Sequence, residues 1–227
     1  MNISVIIAAG GSGKRMGRQK QFLDLSGIPI AVRSCMVFDK SNSISEIIFV
    51  THPDNVKEAE AKVKEHKLIK VKKVVGGGKD RQGSVYNGLL EVSRDCEYVM
   101  VHDGARPFVS GGIVADVVSE LKGSDAVVVG VPVSDTIKEV KQDSVIAKTL
   151  DRNSIWSVQT PQAFKVSLLK EAYEKAMVDD FSATDDSSLV ERLDKKVKMI
   201  MGSYDNIKIT TPSDLAVAES IIRRNAQ

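Results

Sequence analysis

Two short stretches of this chain crowd bare backbone and positive charge together. In AAGGSGKRMGRQK, residues 8–20, four glycines are interleaved with Lys14, Arg15, Arg18 and Lys20, directly after the apolar run ISVII. Glycines let backbone N–H groups approach phosphate oxygens closely, and the cations supply charge that an amide nest lacks. In VVGGGKDRQGSV, residues 74–85, a second apolar run ends in glycines and brings Gly78, Arg81 and Ser84 to what reads as a helix start. A helix N-terminus has its own affinity for anions. Either stretch alone is satisfied by a glycine turn with solvated cations. Two such loops at neighbouring strand ends suit one charged ligand that spans both.

Neither loop fits the common phosphate motifs. A dinucleotide fingerprint starting at Gly11 needs glycine where Met16 stands. A P-loop ending in Gly13-Lys14 needs glycine at Ala8 and serine or threonine at Arg15. Hydride transfer and P-loop NTP hydrolysis are therefore disfavoured.

Other candidates lie further along. YVMVHDGARP places Asp103 just past an apolar run, with Arg106 three residues on. An Asp-Gly pair is often only a turn. Beside phosphate-binding loops, however, a carboxylate repels the ligand unless a divalent cation bridges them, and Mg²⁺ is usually held by one or two carboxylates plus substrate phosphates. Asp103 is thus the metal candidate, whereas His102 reads as a packed histidine, and His52 and His66 carry no constellation. TLDRNSIWSVQTPQAF offers Arg152 and Thr160, with a purely structural arginine as the plain alternative. SATDDSSLVE reads as a helix start capped by Thr184 or Asp185. In YDNIKITTPSDLA, Lys208 lies between Ile207 and Ile209 on an expected strand, so it points away from both, to solvent or to the site.

The elements that must position these residues follow a simple rhythm. ISVIIAA, SEIIFVTH, IKVKKVV, EYVMVHD and SDAVVVGVPV read as strands, near-continuously apolar as buried parallel strands are. Between them come helical stripes, such as Val56, Ala59 and Val63, and then Ile113, Val114, Val117, Val118 and Leu121. This predicts an α/β fold with a mostly parallel sheet and helices on both faces. Ligands bind such sheets outside the carboxyl ends of the strands. After Pro132 two alternating stretches flank KQDS, predicting a protruding β-hairpin arm over about residues 134–158. Helices are expected from about Val166 to Met177 and from Asp186 to Leu193, then a strand over KVKMIMG, a short one at NIKIT and a last helix from Pro212.

With 227 residues, 42% of them hydrophobic, one domain over 1–227 can bury its own core. A net charge of only +2 gives no global field for nucleic acid or membrane binding. The first apolar run is too short for a signal peptide or membrane span. Cys35 and Cys96 lack metal, redox or disulfide-scaffold spacing, so a cytoplasmic location is expected.

Taken in order, AAGGSGKRMG, KQFL, GGGKDRQGSV, VHDGARPF, DTIK, TLDRNSIWSVQTPQAF, TDDSSLVE and NIKITTPSDLAVAE resemble the 2-C-methyl-D-erythritol 4-phosphate cytidylyltransferases of the non-mevalonate isoprenoid pathway. The ribitol 5-phosphate cytidylyltransferases are the alternative, sharing the first loop and QTPQ but differing at TDDSSLVE. The resemblance implies a Rossmann-like nucleotidyltransferase fold using Mg²⁺. CTP would be held by Ala8, Ala9, Gly10, Gly11 and Gly13, and by Gly78, Arg81, Ser84, Asp103 and Arg106. Arg15 and Lys20 match the residues that stabilise the transition state. Arg152 and Lys208 match those that position the sugar-alcohol phosphate, with Thr136, Thr160 and Thr184 nearby. Family members are homodimers whose arms reach across, so Arg152 and Thr136 would serve the partner's site.

Overall fold

The computed structural model describes residues 1–11 and 22–225. The expected strands form as Ile3–Ala9 (β1), Glu46–Thr51 (β4), Val71–Gly76 (β5), Tyr98–Asp103 (β6) and Ala126–Pro132 (β7). Asp24–Leu25 (β2) and Ile28–Pro29 (β3) make a small hairpin, turning at Gly27 with φ of +81°. Lys138–Val140 (β8) and Ile146–Thr149 (β9) pair antiparallel as the arm, with every residue of both strands exposed. Trp156–Lys165 (β10) and Lys198–Met201 (β11) complete the strands. Among the described residues the main sheet has seven strands in the order β11-β7-β10-β6-β1-β4-β5.

All its pairings are parallel except those of β10, which runs antiparallel between β6 and β7. Sequence reading assigned no strand there. Gln159, Thr160 and Gln162 are buried inside it, which hides the apolar signature, and the register with β7 shifts between Val158 and Gln162, around the cis Thr160-Pro161 bond. Trp156 already pairs with Pro132, so β10 joins the sheet inside the range expected for the arm. The short strand expected at NIKIT is corrected. The segment makes no ladder, and its Ile209 N–H bonds instead to the carbonyl of Ala105 at 2.9 Å.

The helices are Ile30–Lys40 (α1), Val56–Glu65 (α2), Arg81–Leu90 (α3), Gly111–Glu120 (α4), Val166–Val178 (α5), Asp186–Glu191 (α6) and Pro212–Asn225 (α7). Alternation along each buried strand divides its side chains between two helical layers. Val5, Ile7, Phe49, Met100 and Val127 pack with Ala31, Phe38, Val114 and Val117 of α1 and α4. Ile6, Val50, Val101, Val128 and Phe164 face Val85, Leu169, Tyr173 and Leu189 of α3, α5 and α6. A small third cluster joins Leu25 and Ile30 to Ile209 and Ala218, docking α7 and the segment before it. Helices thus cover both faces, leaving the strands' carboxyl ends open to a ligand.

Phe164 is fully buried on the one reversed strand. Phe164→Ala should therefore destabilise by about 3–5 kcal/mol, seen as a lowered denaturant midpoint at constant slope. Val178→Ala, at a residue 86% exposed, should stay within about 0.5 kcal/mol of the parent.

Candidate active site

Over the carboxyl ends of β1, β4, β5 and β6 lies a cavity of about 750 Å³. It is lined by Ala8, Ala9, Gly10 and Gly11 at the end of β1 and by Gly77, Gly78, Arg81 and Ser84 after β5. Asp103 and Lys208 close the inner end, while His52 and Pro53 stand at the end of β4. A second hollow, of about 370 Å³, adjoins it. It too is lined by Arg81, Asp103 and Lys208, together with Arg106, Thr160 and Thr184.

Local sequence explains the second loop. Asp80 caps α3 by accepting the Gly83 N–H at 2.7 Å. The Ser84 hydroxyl donates to the Asp80 carbonyl at 2.7 Å and accepts the Gly78 N–H at 3.1 Å. Its oxygen also sits where side chains from Gly10 and Gly77 would go: a Cβ would approach it to 2.9 Å from Gly10 and 2.7 Å from Gly77. Ser84 therefore holds the floor of the cavity shut as well as lining it.

Asp103 ends the wholly buried strand β6 and gathers three cations. Lys208 Nζ lies 2.8 Å from its carboxylate, Arg81 Nε 3.3 Å and Arg106 Nε 3.5 Å. Burial by itself would raise the Asp103 carboxyl, but Arg81, Lys208 and Arg106 together outweigh it and hold the group well below the usual carboxylate range. Arg81 also reaches Asp186, 2.8 Å from Nη2. Three cations against two carboxylates leave this cluster one positive charge, which suits an anionic ligand. The alternation argument for Lys208 holds: Ile207 and Ile209 pack into the third cluster while the lysine faces the site.

His102 is fully buried behind the cluster, and its partners fix its tautomer. Nε2 lies 3.0 Å from the Arg106 carbonyl, which can only accept, so Nε2 carries the proton. Nδ1 then accepts from the Thr160 hydroxyl at 3.1 Å, and that hydroxyl oxygen accepts the Asp103 N–H at 3.0 Å. Arg106 Nη1 donates to the Asn206 carbonyl at 2.7 Å, and the Asn206 amide donates to the Thr160 carbonyl at 2.9 Å. The ends of β6, β10 and the Lys208 segment are tied together by this ring. Burial pushes the imidazole down to about 4, so it is neutral at physiological pH. Thr160 lines the second hollow, yet its hydroxyl is committed to this internal network.

Among the remaining candidates, Thr184 is exposed on the second hollow, and the helix cap is Asp185, which accepts the Ser188 N–H at 3.1 Å. Arg152 and Thr136 are exposed on the arm and line neither cavity of their own chain, Arg152 donating to the Ser134 carbonyl at 3.3 Å. Gly13, Arg15 and Lys20 lie outside the described residues. Sequence reasoning missed His52, Lys79 and Asp186. His52 directly follows β4, a strand beside β1, which is signal enough to mark it as a pocket residue. Asp186 was hidden because helix capping already explained its acidic pair.

Among the described residues no group of three His, Cys, Asp or Glu side chains could cage a metal ion. A single carboxylate at the junction of two anion-competent hollows instead fits a hard cation that takes most of its ligands from phosphates and water. Asp103 lies at that junction.

Joining two phosphorylated molecules requires two anion sites side by side with shared positive charge between them, and on a sheet of this topology that arrangement defines a nucleotidyltransferase. The family model for 2-C-methyl-D-erythritol 4-phosphate cytidylyltransferase matches residues 3–224. The enzyme of that name from Caldanaerobacter subterraneus is 44% identical, over 99% of this chain and 100% of the relative. That from Clostridioides difficile is 45% identical, over 96% and 93%. The crystal structure of 4-diphosphocytidyl-2C-methyl-D-erythritol synthase from Anaerococcus prevotii superposes with a TM-score of 0.88 at 32% identity, covering 98% of this chain and 96% of that one. The chain belongs to the 2-C-methyl-D-erythritol 4-phosphate cytidylyltransferase family.

The His102 ring yields a pH signature. Its pKa is near 6.5 when unfolded and about 4 when folded. The folded state therefore binds fewer protons, and this contribution is fully present above pH 6.5 and lost as pH falls toward 4. On the order of 3 kcal/mol is at stake. Denaturant titrations across that window should show wild type weakening with acid and His102→Gln running flatter. Equal slopes would refute the assignment.

Proposed function

We propose that the chain transfers the cytidylyl group of CTP to 2-C-methyl-D-erythritol 4-phosphate, releasing pyrophosphate. The observation that carries this is the Asp103 cluster, common to both hollows. CTP would occupy the larger, over the two glycine loops, and the sugar-alcohol phosphate the smaller. A phosphate oxygen attacks the α-phosphorus of CTP, and the bond to the β-phosphate's bridging oxygen breaks. The ribitol 5-phosphate alternative is not favoured, since the family model and the relatives above are methylerythritol phosphate enzymes.

No strong general base is required. A phosphate monoester has a second pKa of about 6 and is largely dianionic at neutral pH. His102, behind the cluster, is neutral and faces inward to Thr160 and Arg106, while His52 lines the larger cavity at the end of β4. The obstacle is repulsion between two anions, which the cations relieve. Arg81 and Arg106 line the approach, and Lys208 lies between both hollows to hold the attacking phosphate in line. Asp103 would hold Mg²⁺, which when bound neutralises charge on the triphosphate. Arg15 and Lys20 carry over from the family motif as the groups that meet the transition-state charge.

Arg152 and Thr136 would act on the partner subunit's site in a homodimer. The exposed hairpin supports this reading: Val140, Val145 and Ile146 are each more than half exposed on it, and an isolated two-stranded hairpin is marginal in water. A cytoplasmic location is supported by two buried free thiols, Cys35 and Cys96. Among the described residues no helix is long and apolar enough to cross a membrane.

The test is pyrophosphate release with CTP, Mg²⁺ and each candidate phosphate. Rapid release with methylerythritol phosphate and little with ribitol 5-phosphate is expected, and the reverse would overturn the substrate. Lys20→Ala should lower kcat about a hundred- to a thousandfold with CTP affinity little changed. If inactive Lys20→Ala and Arg152→Ala chains regain no activity when mixed as heterodimers, the shared site is wrong.

A further inference from the structure

Arg81 is the one cation of the cluster held by two carboxylates, and the second of these has no part in the mechanism above. Asp186 lies at the start of α6 with its side chain 1% exposed. Its Oδ2 takes Arg81 Nη2 at 2.8 Å, and its Oδ1 takes the Tyr173 hydroxyl at 2.6 Å. Tyr173 is itself fixed, 1% exposed and stacked on Tyr86 with ring centroids 5.7 Å apart. The Asp186 backbone N–H bonds the Gln162 side chain at 3.2 Å, so the start of α6 is anchored to β10 as well.

A guanidinium is a planar fork with five donors. Here Nε is turned to Asp103 and Nη2 to Asp186, which leaves Nη1 without a protein partner among the described residues. That edge belongs to a side chain lining the larger cavity. With the Asp186 charge removed, the guanidinium keeps only the pull of Asp103, whose other oxygen already meets Lys208 and Arg106, and it is free to turn toward the carboxylate oxygen it already contacts. The arginine would then satisfy Asp103 instead of facing the cavity.

We propose that Asp186, gripped by the Tyr173 hydroxyl, is a positioning residue that holds the Arg81 guanidinium toward the nucleotide and keeps it from collapsing onto Asp103. The inference rests on CTP being the occupant of the larger cavity. It assigns to the second aspartate of TDDSSLVE a role beyond starting a helix, and makes the Tyr173 hydroxyl part of the nucleotide site without contact to the ligand.

The experiment measures CTP binding by calorimetry, and KM for both substrates, in wild type, Asp186→Asn, Tyr173→Phe, Arg81→Ala and the double variants with Arg81→Ala. Loss of a charge-assisted bond should weaken CTP binding about ten- to a hundredfold in Asp186→Asn, with a smaller loss in Tyr173→Phe. KM for methylerythritol phosphate should rise less than CTP affinity falls, although Arg81 lines the smaller hollow as well. In the Arg81→Ala background the Asp186→Asn change should add less than about twofold, since its effect runs through the missing arginine. A folded Asp186→Asn enzyme with wild-type CTP affinity overturns the proposal, as do losses that simply multiply. Should Asp186→Asn not fold, Tyr173→Phe, which keeps the stacked ring, carries the same comparison. A wild-type protein that binds no CTP overturns the functional reading instead, before any variant is compared.

Discussion

The site depends on one carboxylate that is never alone. Asp103 sits at the end of a strand buried along its whole length, where an isolated charge would be prohibitively costly. It is tolerated because Arg81, Arg106 and Lys208 arrive from three different parts of the chain to meet it. The same contacts that make the aspartate affordable assemble the cations a polyanionic ligand needs. Folding and function draw here on a single set of ion pairs, and the cluster keeps a positive remainder.

Around that cluster the fold is a device for convergence. The parallel strands bring β1 and β6 out at one end, and the glycine loop beyond β5 meets them there. The reversed strand β10 delivers Gln159 to Gln162 to that same end because it enters the sheet from the arm. His102, Thr160 and Asn206 then stitch the three contributions with hydrogen bonds whose directions are fully determined. A neutral histidine suits this place: with a single ring N–H it can donate to the Arg106 carbonyl and still accept from Thr160.

Much of this was legible in the residues. The continuous apolar runs of β1, β4, β6 and β7 announced a parallel sheet, and the glycine loops after β1 and β5 pointed to the place where the structure has a cavity. Alternation turned Lys208 away from Ile207 and Ile209 but left solvent and site both open, and the structure puts it against Asp103. What stayed hidden was hidden for physical reasons. Buried glutamines and a threonine disguised β10, because their partners, Asp185 and His102, are distant in sequence. The segment before α7 looked like a strand because its apolar alternation serves packing against Leu25 and Ile30. Asp186 could not be singled out, since Tyr173 and Arg81 find it only in three dimensions. Arg152 and Thr136 line neither cavity of their own chain, and nothing in the residues' spacing could have said so.

The Ser84 hydroxyl, wedged where side chains of Gly10 and Gly77 would stand, carries a consequence for natural variation. Three positions, from two separate loops and a helix, share one oxygen-sized gap, so none can enlarge independently: a methyl gained at either glycine displaces the serine and opens the loop it latches. Drift at this joint must be frozen or concerted. The end of β1 and the loop after β5 are in this sense a single mechanical part, and whatever shifts one of them drags the other.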